Sequence, residues 1–154
     1  MKLKNLAVLV IAGLILTASA SAQEKKIRRS DLPPAVEKTV AANSEGATIK
    51  GFSTEQENGQ TIYEAEMMVK GHSKDISMTA DGSIVEVEEE VALSSLSPEV
   101  QAGLQEKAGK GKIGKVESIS KKGKLVAYEA HVVTDGKKSE VQVGPDGKPL
   151  DHEE

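Results

Sequence analysis

The side chains best suited to metal or proton chemistry are three histidines. His72 lies three residues before Asp75, His131 four before Asp135, and His152 sits among Asp151, Glu153 and Glu154. They are spread over a turn, a strand and a tail, whereas a metal site needs several ligands at fixed distances. They read as solvated surface side chains, and no metal ligand or cofactor-binding residue is assigned. Serine chemistry has no Gly-x-Ser-x-Gly turn to support it. Carboxylates are abundant, but no flanking motif places two of them across a cleft. No catalytic residue is assigned, and the expectation is a protein that is not an enzyme.

Two acidic runs, Glu86 to Glu90 and Asp151 to Glu154, invite a cation, because hard cations take clustered carboxylate oxygens. Glu86 and Glu88 alternate with Val85 and Val87, so they read instead as the exposed face of a strand, where charge discourages edge-to-edge aggregation. Tyr63-Glu64 and Tyr128-Glu129 are the remaining candidates, as residues that contact a partner. Each tyrosine shares an apolar strand face and is expected beneath a helix; pointing outward, the pair would form a repeated binding contact. Basic residues gather between Lys107 and Lys124, and with Lys25, Lys26, Arg28 and Arg29 they suit an acidic partner or surface.

The elements that must hold these residues begin after a leader. Lys2 and Lys4 precede an apolar stretch from Leu6 to Leu16, and Ala20-Ser21-Ala22 carries the small residues of a cleavage site, so 1–22 reads as a signal peptide. The segment is too short and too broken by Gly13 for a stable membrane span, and with no cysteine there is no disulfide framework. A periplasmic or secreted bacterial protein follows. The net charge of −4 and the three aromatic residues, Phe52, Tyr63 and Tyr128, argue against nucleic acid.

The chain also matches itself. Leu32, Pro34, Val36, Ile49 and Gly59 correspond in order to Leu96, Pro98, Val100, Ile113 and Gly123, and Tyr63-Glu64-Ala65 to Tyr128-Glu129-Ala130. Each copy opens with a helix: Pro34, Val36 and Val40 in the first; Ser97 as cap, Pro98, Val100, Leu104 and Ala108 in the second. Period-two strands follow, with turns at Asn58-Gly59, Lys122-Gly123, Asp81-Gly82 and Asp146-Gly147. The expected fold class is α+β, as two tandem repeats, 23–91 and 92–154, each one helix packed on about four antiparallel strands.

The order "LPPAV", "NGQTIYEAEM", "ADGSIVEVEEE", repeated as "LSPEV", "KGKLVAYEAHV", "GPDGKPL", resembles the PepSY-like domains, exported bacterial modules likened in fold to a secreted beta-lactamase inhibitor protein. The resemblance implies regulation or binding of a peptidase or another envelope protein, and carries no inhibitory residue onto this chain. The leading expectation is therefore an exported, non-enzymatic module that binds a protein or peptide by its sheet face or by strand addition. Its competitor is a cation or small-ligand sensor or buffer that uses the acidic strand face.

Overall fold

The computed structural model describes residues 24–152 and 154. The expected signal peptide, Gln23 and Glu153 of the acidic tail lie outside the described residues. The chain runs β1 (Lys25–Ile27), α1 (Pro34–Asn43), β2 (Ala47–Glu57), β3 (Gln60–Val69), β4 (His72–Thr79), β5 (Ile84–Glu90), α2 (Pro98–Ala108), β6 (Lys112–Lys121), β7 (Lys124–Thr134) and β8 (Lys137–Val143), with short 3-10 turns before each helix. All neighbouring strands are antiparallel and lie in chain order in one 8-stranded sheet.

This arrangement corrects the expectation of two tandem units of one helix on about four strands. The sheet is continuous, because Glu86 to Glu90 of β5 pair with Lys121 to Glu117 of β6. Separate units would leave the N–H and C=O groups along those two edges unpaired, and joining them removes that cost. The strands also divide unevenly about α2, five before it and three after. β1 adds to β2 through Lys25 to Ile27, a segment too short to show alternation. After β8 the Asp146-Gly147 turn leads to no strand: Gly144 N–H donates to the Lys148 carbonyl, and Pro149, which lacks an N–H, follows at once.

Local chemistry sets the elements themselves. Ser97 Oγ accepts from the Val100 N–H at 3.3 Å and caps α2, whereas Pro33 gives α1 no side-chain cap. Asn58 (φ 48°) and Gly59 (φ 80°) supply the two positive φ angles of a two-residue hairpin turn, and Lys122-Gly123 does the same between β6 and β7.

Both helices cover the same face. Val36 and Val40 of α1 pack with Phe52, Ala65, Met67, Ile76 and Met78; Val100, Leu104 and Ala108 of α2 pack with Val116, Ala130, Val132 and Val143. Val87 of the first cluster pairs with Ser120, which alternates with Ser118 and Val116 of the second, so the face runs on unbroken. Each large aliphatic side chain buried there contributes about 1.5–3 kcal/mol. Alternate residues project from the other face, which no helix covers.

Candidate functional site

Register turns that open face into rows of carboxylates. One row runs Glu64, Ser77, Glu86, Lys121 across β3 to β6, and the next runs Glu66, Asp75, Glu88, Ile119. A third runs Glu90, Glu117, Glu129, Gln142 across β5 to β8. β5 is thus a central strand, and its glutamates do not guard an edge: Glu86, Glu88 and Glu90 are half-buried in the middle of the sheet.

Crowding shifts the acids. Burial, with the charges of Asp75, Glu24 and Glu66 behind it, pushes Glu64 up to about 7, although Ser53 Oγ donates to its Oε2 at 3.4 Å. Burial and then Glu86, Glu117, Glu129 and Asp75 push Glu88 up to about 8. Burial also raises Asp75 and Glu129. Glu117 goes the other way. Only 2% of it is exposed, and burial alone would raise it, but hydrogen bonds and charge from Lys115 and His131 hold it below the usual carboxylate range. Lys115 Nζ lies 2.8 Å from Glu117 Oε1, which also accepts from Ser73 Oγ at 3.3 Å, and His131 Nε2 lies 2.9 Å from Glu117 Oε2. Lys121 Nζ bridges Glu86 and Glu154, each at 3.4 Å. Among the described residues no buried side-chain nitrogen or oxygen lacks a partner.

The residues singled out in the sequence fall on both faces. Tyr63 packs against the α1 cluster and Tyr128 against the α2 cluster, while Glu64 and Glu129 project from the open face. Glu64 and Glu129 therefore share a surface with each other but not with the tyrosines that precede them. His72 is exposed at the start of β4 and His152 in the tail, whereas His131 stands beside Glu117, Glu129 and Glu140. Glu117 was not singled out by sequence reasoning. One signal was available for part of the cluster: Glu129 and His131 are two apart in a strand and must share a face.

The open face has a corner depression of about 250 Å³ at the Asn58 turn, lined by Ile62 and Val85 together with Glu55, Glu57, Glu86 and Lys121. The arrangement offers a broad surface on which carboxylates outnumber cations.

No family model matches the chain, and no curated protein matches it. Solved structures do. A DUF2874 family protein from Bacteroides ovatus is 20% identical with a TM-score of 0.59, over 77% of this chain and 84% of its own. A BLIP-like protein from Bacteroides fragilis is 21% identical with a TM-score of 0.54, over 75% and 81%. A protein from Bacteroides eggerthii described as periplasmic is 16% identical with a TM-score of 0.62, over 77% and 86%. At these identities the likeness is one of fold. It agrees with the expected similarity to a beta-lactamase inhibitor protein and does not extend to a PepSY relationship. No helix among the described residues is long and apolar enough to cross a membrane.

Proposed function

We propose that this chain is an exported, non-enzymatic binding module, periplasmic or secreted, that holds a protein or peptide with a basic surface across the open face of its sheet. The observation that carries this reading is the set of carboxylate rows through Glu64, Glu86, Glu88 and Glu129 on a face without a covering layer. A cationic partner relieves the repulsion among these acids and draws them into their charged form. Of the partner-contact candidates, Glu64 and Glu129 belong to this surface; Tyr63 and Tyr128 support it from the opposite side through the core. A peptidase or another envelope protein with a basic patch is the class of partner that the sequence resemblance favours.

The face suits binding better than the edges do. β1 offers only three residues, and β8 starts with Lys137 and Lys138, charges that oppose an added strand.

Calorimetry with a lysine- and arginine-rich peptide, against a glutamate-rich peptide of equal length, tests the proposal. Saturable binding of the basic peptide, weakened by salt and at least tenfold by Glu64→Gln with Glu88→Gln, is expected. Equal binding of both peptides, or no effect of the double substitution, would refute it.

A further inference from the structure

We propose that Glu117, Glu129 and His131 form a site for a divalent transition metal of the zinc class, with the carboxylate oxygens and the imidazole Nε2 as its three protein ligands. Each residue offers one donor atom, and these three atoms all lie within 4.8 Å of one another. The separations suit the ion. Zinc–nitrogen and zinc–oxygen bonds of about 2.0–2.2 Å at a tetrahedral angle put the two ligand atoms roughly 3.4 Å apart. His131 Nε2 lies 2.9 Å from Glu117 Oε2 and 3.7 Å from Glu129 Oε1, on either side of that value.

Each ligand is also held from outside the triad by its other polar atom. Lys115 Nζ and Ser73 Oγ donate to Glu117 Oε1, which leaves Oε2 turned inward. Gln142 Nε2 donates to Glu129 Oε2 at 2.8 Å, which leaves Oε1. Glu140 Oε1 stands 3.4 Å from His131 Nδ1, the placement by which an outer carboxylate fixes the ring of a metal-bound histidine. A surface ion pair has no need for three groups each anchored at the far atom and turned toward the others at the near one.

The site is open on one side. Glu117 is buried, but the His131 side chain is 38% exposed, beside a cleft of about 420 Å³ lined by Gly114, Lys115, Ser139 and Glu140. A fourth position therefore faces solvent, where water or a donor atom from a partner can enter. An imidazole ligand selects zinc, cobalt, nickel or copper over calcium, which takes oxygen. A metal at this centre takes the Nε2 lone pair of the neutral imidazole in place of its contact with Glu117, with the ring proton carried on Nδ1 toward Glu140.

The test is titration of the untagged full chain with Zn²⁺, and with Co²⁺ as a visible reporter. One equivalent should bind. In the wild-type protein Zn²⁺ should shift the ring resonances of His131 and leave those of His72 and His152 in place. His131→Gln and Glu129→Gln should each weaken binding at least tenfold, and Glu140→Gln should weaken it less while shifting the Co²⁺ absorption band. His72→Gln and His152→Gln should bind as the wild type does. No saturable binding up to millimolar Zn²⁺, movement of His72 or His152 instead of His131, or calcium binding that matches zinc would overturn the proposal. The wild-type resonance measurement decides the matter even where a variant fails to fold.

Discussion

Glu64 carries its proton to about pH 7 in the folded protein, well above its ordinary value of 4.5, because it is buried among Asp75, Glu66 and Glu24. The unfolded chain gives up that proton first as pH rises. Its contribution to stability is therefore fully present below about pH 4.5 and is lost as pH climbs through about 7. Glu64→Gln should match the wild type in stability near pH 4.5 and exceed it near pH 8, with a melting midpoint a few degrees higher. Melting curves at the two pH values check this; a substitution that destabilises more at pH 8 than at pH 4.5 would show the group to be charged and well paired. The same titration links to the binding proposal, since a basic partner prefers the ionised face and should bind more tightly above pH 7 than below it.

The capped helix makes a comparison within one molecule. Ser97→Ala removes the oxygen that accepts from Val100 and should cost about 0.5–2 kcal/mol in denaturant unfolding, whereas Pro33→Ala removes no such bond and should cost less through that route. Equal losses would mean that the cap contributes nothing. Such elements were legible in the sequence because their causes are local: a serine before a proline, apolar residues four apart, an Asn-Gly or Lys-Gly pair between alternating runs. What lay beyond the sequence depended on pairing between distant segments. β1 is three residues long and exists through Phe52 to Thr54, and no strand follows Asp146-Gly147 despite a turn like that at Asp81-Gly82. Two of the three metal ligands could be read together, Glu129 and His131 sharing a strand face. The buried Glu117 joins them only through the β6–β7 register, a regular stretch from Val116 to Ile119 bounded by one irregularity before it and another after it, which local alternation does not fix.

At the level of the whole molecule, the pairing of β5 with β6 joins the strands on either side of α2 into one sheet, a junction that the internal sequence matches left open. Two apolar clusters lie under it, and each contains one of the two tyrosines at its margin. Tyr63→Phe and Tyr128→Phe thus leave single fluorescent reporters, one per cluster. Loss of either cluster would expose the edge shared by Glu86 to Glu90 and Glu117 to Lys121, so the two reporters should give coincident urea transitions. Midpoints clearly apart would mean that the halves melt independently. At the outer strands of the described sheet the lysines have a separate consequence. Lys25 and Lys26 stand on one outermost strand and Lys137 and Lys138 on the other, so a copy trying to extend the sheet laterally would meet ammonium against ammonium. Exchanging all four for serine should let molecules stack into ribbons that bind amyloid dyes, while the unaltered chain stays dispersed at the same concentration.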